Sequence, residues 1–223
     1  MIDFHLFTYN DSKICLMENN LSVDELIQAF NHPELYLPEM DKINSIHRKK
    51  EFLGLRLALK HCLNGEEKVI LHTPDGKPVL ADNSYKISFS HCRGWISVIV
   101  HPIFDVGIDI EKPTDQIMKI HTRFLGDEEL KEYLKTNNLN YLRVVWSTKE
   151  ALYKIIGESA YNFAKQIRIL PFELRHEGHL KALFLKTSKE YRVHYRLTDH
   201  YTLAYCIDNE KNIRKDCCES CIL

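Results

Sequence analysis

Val106-Gly107-Ile108-Asp109-Ile110-Glu111-Lys112-Pro113 sets apolar against acidic residues and stops at a proline, the pattern of a strand with one buried face. Residues two apart on a strand share a side, so Ile108 and Ile110 turn to a core while Asp109 and Glu111 project together. Two carboxylates on one side of an otherwise apolar strand repel each other. A bound cation is one reason to keep them there; an exposed strand face is the other. The stretch also divides the chain. On both sides of it the pattern runs helices, then strands.

Upstream, Ile2 to Phe7 alternates and reads as a strand. Ser22 with Glu25 forms a capping box for a helix to about Phe30. A second helix is expected from about Lys42 to Cys62, closed by Asn64-Gly65. Val69 to Leu71 is a short strand before the turn Pro74-Asp75-Gly76-Lys77-Pro78. Lys86–Ser90, Trp95–Val100 and Asp105–Ile110 read as a three-strand meander broken at Arg93-Gly94 and His101-Pro102. Downstream come helices from about Gln116, from Asp127 to Lys135 and from Asn140 to Ile156, the last closed by Gly157. Strands follow at 167–170, 179–185, 191–197 and 201–207. This order predicts an α+β fold of two halves, each packing helices on an antiparallel sheet. They span 1–104 and 105–210, with a flexible tail at 211–223.

The chain has 223 residues, 44% of them hydrophobic, enough for a sizeable core. With 30 Lys+Arg against 31 Asp+Glu its net charge is -1, which argues against wholesale binding to nucleic acid or an anionic membrane. There is no bilayer-spanning apolar run and no signal-peptide pattern, so a cytoplasmic protein is expected. Four scattered cysteines, Cys15, Cys62, Cys92 and Cys206, fit reduced thiols. Cys217, Cys218 and Cys221 crowd the end without a second pair to complete a zinc site, and read as part of a loose polar tail.

Four other stretches carry chemistry. In Trp146-Ser147-Thr148-Lys149-Glu150-Ala151-Leu152-Tyr153-Lys154, the side chains of Trp146, Glu150 and Lys154 recur every fourth residue and form one helical stripe. Glu150 and Lys154 make either an ordinary surface ion pair or, facing Asp109 and Glu111, a third oxygen ligand with a cation beside it. Three acidic oxygens favour magnesium, with manganese as the alternative. Ser90-His91 ends a strand, either as a plain turn or as a phosphate contact. Adjacent strand residues point apart, so the two are not a nucleophile with its base. Gly76-Lys77-Pro78 is a common turn that can present Lys77 to an anion, and Arg48-Lys49-Lys50 is a basic helical face, ordinarily solvated.

In this order, from about Arg48 to Lys154, these motifs resemble the 4'-phosphopantetheinyl transferase superfamily. They comprise the GKP turn, Phe89-Ser90-His91, Gly107-Ile108-Asp109-Ile110-Glu111, Phe124 with Asp127, Glu128 and Glu129, and Trp146-x-x-Lys149-Glu150-Ala151. The closer likeness is to the long, single-chain, surfactin-synthetase-activating type. The resemblance implies two similar halves in a pseudo-twofold arrangement, a monomer, and coenzyme A with magnesium bound between the halves. It makes Asp109, Glu111 and Glu150 the metal ligands and puts Lys154 at the phosphate near the scissile bond. Ser90 and His91 fall at the coenzyme's phosphates and Lys77 at the adenosine side or a phosphate. Lys50 is the first match for the 3'-phosphate contact, with Arg48 and Arg56 as alternatives.

The implied reaction is attack by a serine hydroxyl of an apo acyl or peptidyl carrier protein on the β-phosphate of coenzyme A, releasing adenosine 3',5'-bisphosphate. Glu150 is the first candidate for the base, with Lys154 and His91 offsetting charge on the phosphate. Lys119 and Arg123 near Ile117, Met118 and Phe124 are a candidate carrier-docking patch, or an ordinary amphipathic helix. The rival readings are a metal-dependent phosphoesterase acting on coenzyme A or a nucleotide, and an inactive coenzyme A-binding module.

Overall fold

The computed structural model describes residues 4–157 and 162–208. The cysteine-bearing end of the chain lies outside the described residues. An antiparallel sheet of four strands comes first, ordered β1 (Phe4–Tyr9), β2 (Ser12–Glu18), β6 (Trp95–His101), β5 (Lys86–Cys92). Asn10 and Asp11 join β1 to β2 with φ of 44° and 63°. Two successive left-handed residues make the turn whose twist suits a tight hairpin, and Asn and Asp tolerate that conformation best after glycine.

Between β2 and β5 lie α1 (Val23–Gln28), a 3-10 turn (Pro33–Leu35), α2 (Leu37–Met40), α3 (Ile46–Cys62) and the small hairpin β3 (Ile70–His72) with β4 (Pro78–Leu80). Ser22 and Glu25 form the expected capping box at α1. Ser45 caps α3 by accepting from Arg48 N. Leu53, Leu57, Ala58 and Cys62 of α3 pack with Cys15, Met17, Ile96 and Val98 on one side of the sheet.

The second sheet has five antiparallel strands, ordered β7 (Val106–Glu111), β11 (Thr202–Ile207), β10 (Lys189–Leu197), β9 (Glu177–Phe184), β8 (Ile167–Ile169). Preceding β8 are α4 (Ile117–Phe124), α5 (Asp127–Thr136), α6 (Leu139–Ile156) and α7 (Phe163–Gln166). Gly157 closes α6 with φ of 73°. Leu142, Val145 and Leu152 of α6 meet Leu180, Ala182, Val193 and Ala204 in a second core. A third core, with Ile14, Leu16, Ile99, Ile108, Ile110 and Leu203, joins the two sheets face to face. No helix among the described residues is long and apolar enough to cross a membrane.

The fold is α+β, but the expected meander is not formed. β7 pairs with β11, Asp109 opposite Ala204, and not with β6. The reason is β2, a strand the alternation rule missed: it takes the second edge of β6, Lys13 opposite Val100, while β5 holds the first. At the crossing, Ile103 N and Phe104 N donate to His101 Nδ1 (3.0 and 2.8 Å), turning the chain toward the second sheet. β7 is tied to β5 by side chains instead. Ser88 Oγ accepts from Ile108 N at 3.3 Å, and Ser90 Oγ donates to Asp109 Oδ1 at 3.0 Å.

Candidate active site

Alternation along β7 sends Ile108 and Ile110 into the core between the sheets and turns Asp109 and Glu111 toward α6. The approach of α6 is very close. A Cβ added at Gly107 would lie 1.9 Å from the backbone oxygen of Ala151. Glycine is required here by space, and the contact sets the height of α6 above β7.

The stripe Trp146, Glu150, Lys154 faces the strand. Trp146 Nε1 donates to Glu111 Oε1 at 3.2 Å. Lys154 Nζ donates to Asp109 Oδ1 at 3.0 Å and to Ile108 O at 2.7 Å. Asp109 is 3% exposed, and its Oδ2 is buried without a hydrogen-bond partner among the described residues. Burial, then the Asp109 charge, raises the Glu111 carboxyl above the usual carboxylate range, while the Trp146 N–H and Lys154 oppose the rise. Burial and the Asp109 charge likewise push Glu150 up to about 7, with Lys154 partly offsetting them. Three carboxyls in one buried neighbourhood thus meet one ammonium.

Among the described residues no three His, Cys, Asp or Glu side chains stand close enough as they are to close on one metal ion. The donor set nevertheless suits a hard divalent cation: all oxygen, two carboxyls destabilised as anions, and one buried carboxylate oxygen unpaired.

Two cavities flank this cluster. One, about 250 Å³, is lined by Lys77, Pro78, Phe89, Tyr153, Lys154 and Gly157 among others, so it opens between the N-terminal sheet and α6. The other, about 220 Å³, lies past Glu111 and is lined by Lys112, Ile117, Ile120, Arg143 and Trp146 among others. Asp109, Glu111, Glu150, Lys154 and Ser90 are therefore gathered in one place, with Lys77 across the first cavity.

Other expected contacts lie elsewhere. Lys77 also pairs with Asp105 at 3.0 Å. Ser90 is buried and donates to Asp109. His91 points away from Ser90, as strand geometry requires, with Nδ1 3.2 Å from Glu51. Arg56 is already engaged within its own half of the chain. It is 6% exposed, donates to Glu39 at 3.0 Å and to Phe52 O, and its guanidinium carbon lies 3.3 Å from the Phe52 ring centre. Arg48 is exposed and Lys50 half-buried, and neither lines the first cavity. In the docking patch, Ile117 and Phe124 are core residues, Phe124 against Trp146 with ring centres 5.2 Å apart. Met118, Lys119 and Arg123 are exposed.

Sequence reasoning assigned no role to Lys149, which is fully buried. Its Nζ donates to Glu129 Oε2 (2.6 Å), Phe124 O (2.7 Å) and Phe163 O (3.3 Å). Glu129 also accepts from Gly126 N and Ile169 N. This pair pins α6 to α4, α5, α7 and β8.

No curated protein matches the chain. Residues 105–206, which hold β7, α6 and all but the last residue of the second sheet, match the family model of the 4'-phosphopantetheinyl transferase superfamily.

Proposed function

We propose that the protein transfers the 4'-phosphopantetheine arm of coenzyme A to a serine hydroxyl of an apo acyl or peptidyl carrier protein, leaving adenosine 3',5'-bisphosphate. The observation that carries this reading is the buried Asp109–Glu111–Glu150 cluster with Lys154, lying inside the family-matched region between two cavities. One cavity is bordered by the ammonium groups of Lys77 and Lys154, which suits the coenzyme's phosphates. The other, with an apolar floor and two cations, suits an acidic helical carrier offering its serine. Met118, Lys119 and Arg123 extend that surface. The two halves, each a long helix on an antiparallel sheet, would be the pseudo-twofold pair that the family likeness implies.

Asp109, Glu111 and Glu150 would hold magnesium or manganese. When bound, such a cation offsets the negative charge that grows on the transferring phosphate. Lys154, fixed by Ile108 O and Asp109, presents its remaining proton to a phosphate oxygen. Glu150, at the edge of the cluster, takes the proton from the carrier serine. The walls of the two cavities hold nucleophile and phosphorus in line, the entropic part of the rate. Ser90 and Trp146 orient Asp109 and Glu111.

The test is an intact mass spectrum of an apo carrier after incubation with the protein, coenzyme A and magnesium. A gain of one phosphopantetheine, abolished by chelator and by Asp109→Ala, is the expected result. Glu150→Ala should lose nearly all transfer while staying folded. No gain on fatty-acid or synthetase-type carriers would refute the transferase reading, and hydrolysed coenzyme A in the same sample would mark a phosphoesterase.

A further inference from the structure

His179 of β9 and His194 of β10 stand directly opposite each other. Leu197 N donates to His176 O, and alternation from that bond leaves His179 and His194 without backbone hydrogen bonds between them. In such pairs the side chains stand closest. The two ring centres are 5.8 Å apart. Val193 and Tyr195 enter the α6 core, so His194 lies on the other face of the sheet, away from the acidic cluster. There both histidines line a cavity of about 260 Å³ with Phe7, Glu177, Arg196 and Tyr205 among others. His194 Nε2 is buried and has no hydrogen-bond partner among the described residues. The rings of Tyr9 (4.2 Å) and Tyr205 (5.3 Å) pack against this imidazole. Burial and then His179 hold it down at about 4, so at neutral pH it is uncharged.

A buried polar atom without a partner calls for one, and an uncharged imidazole nitrogen is the commonest metal ligand. A nitrogen about 2.0–2.1 Å from zinc puts its ring centre about 3.2 Å from the metal, so two imidazoles in a tetrahedral shell have centres about 5.2 Å apart. The observed 5.8 Å is a small side-chain rotation away. Glu177 sits two residues before His179 and shares its face of β9. Its Oε2 accepts from Arg196 Nε at 3.0 Å, so the carboxylate can keep that pair and offer its other oxygen. As they stand the three side chains do not close on one point, but Glu177 is 68% exposed and has room to turn. We propose that His179, His194 and Glu177 bind a borderline divalent transition metal such as zinc, held by the two imidazoles and closed by the carboxylate. Imidazole selects such ions over magnesium, which separates this site from the acidic cluster. The Arg196 charge is met by Glu177, and its guanidinium carbon lies 5.4 Å from the Phe7 ring centre. Nothing in this inference depends on the transferase reading.

Two measurements on the full chain test this. In calorimetric titration with zinc chloride, in excess magnesium, the wild type should take up one zinc that His179→Ala loses. Affinity at that site should fall at least about 100-fold, because a ligand counts for more than the outer partners whose loss costs about 10–100-fold. His179 is exposed, so this variant should melt with the metal-free wild type. Glu177→Gln should weaken the same uptake about 10-fold or more. Zinc taken by Cys217, Cys218 or Cys221, or by the acidic cluster, would survive His179→Ala and drops out of the comparison. In long-range proton–nitrogen spectra of ¹⁵N-labelled protein, zinc should move the ring signals of His179 and His194 together, in step with the uptake that His179→Ala loses. Identical zinc uptake by wild type and His179→Ala, or uptake that leaves both rings unmoved, overturns the proposal. Unchanged affinity in Glu177→Gln removes the carboxylate from it.

Discussion

Replacing Gly107 by alanine adds one carbon where none fits. Its nearest neighbours would be Ala151 O at 1.9 Å and Ala151 C at 2.9 Å, both backbone atoms of α6 that no rotamer change can move. Real Cβ atoms essentially never come within 3.0 Å of another heavy atom, so α6 must rise by roughly 1 Å or β7 must sink into the core between the sheets. Overpacking of this kind costs about 1–3 kcal/mol, and a backbone clash belongs at the upper end. For a protein of this size that lowers Tm by roughly 6–12 °C. Ala151 lies between Glu150 and Lys154 on α6, so the displacement also separates both from Asp109 and Glu111. A misplacement of about 1 Å at reacting groups is worth on the order of 100-fold in rate. Thermal unfolding and carrier phosphopantetheinylation, measured on Gly107→Ala below its Tm, should therefore both fall. A variant with Tm within about 2 °C of wild type and undiminished turnover would refute the claim that this contact sets the site.

Lys149→Met leaves the Glu129 carboxylate buried without its cation and should cost about 3–5 kcal/mol in denaturant melts; adding Glu129→Gln should recover part of the loss. Arg56→Met should lower stability while leaving coenzyme A affinity unchanged, since Arg56 is already engaged by Glu39 and Phe52. Equal weakening of coenzyme A binding by Arg56→Met and Lys50→Met would place Arg56 at the phosphate site. Burial, first, and then neighbouring His179 hold His194 down at about 4 against an ordinary 6.5. Between these values the unfolded chain binds the proton and the folded protein does not, so the contribution is complete above pH 6.5 and is lost as pH falls toward 4. Allowing for solvent near the ring, His194→Gln should flatten the stability–pH curve in that window by about 2 kcal/mol; an unchanged slope would refute it.

How much of this was legible in the sequence depended on whether a residue's surroundings leave a local trace. α1 and α6 announced themselves through Ser22 with Glu25 and through Gly157, because caps act within a few residues. β2 escaped because Ile14 and Leu16 enter the core between the sheets while Cys15 and Met17 enter the α3 core. A strand buried on both faces has no alternation to find. Its one signal was the turn at Asn10-Asp11. Missing β2 in turn produced the false meander, since β6 then seemed to have a free edge. Arg56 read as one more base on a basic helix because its partner Glu39 is supplied by a separate element. Lys149 and Glu129 are likewise joined only by the packing of α5 against α6.

The spacing within Trp146-Ser147-Thr148-Lys149-Glu150-Ala151-Leu152-Tyr153-Lys154 follows from helix geometry at six of its nine positions. A step of four returns to nearly the same side of a helix, so Trp146, Glu150 and Lys154 all face β7, one holding Glu111, one completing the carboxyl cluster and one neutralising Asp109. A step of one turns the chain by about 100°, and Lys149 points instead into the anchor with Glu129. Ala151 is small where Gly107 presses against it, and Leu152 fills the core behind. Tyr153 and Lys154 line the first cavity and Trp146 the second. Lys149 and Ala151 fix where Glu150 and Lys154 stand, at the cost of a buried cation and a strand with no side chain at its crossing point. A substitution at Lys149 should therefore act through geometry and stability. Trp146→Phe keeps the ring but removes the N–H that opposes the rise of Glu111 above the carboxylate range. It should lower transfer about 10-fold at unchanged Tm, the weight of one hydrogen bond to a charged group. A fall in Tm without loss of transfer would show that the indole serves packing alone.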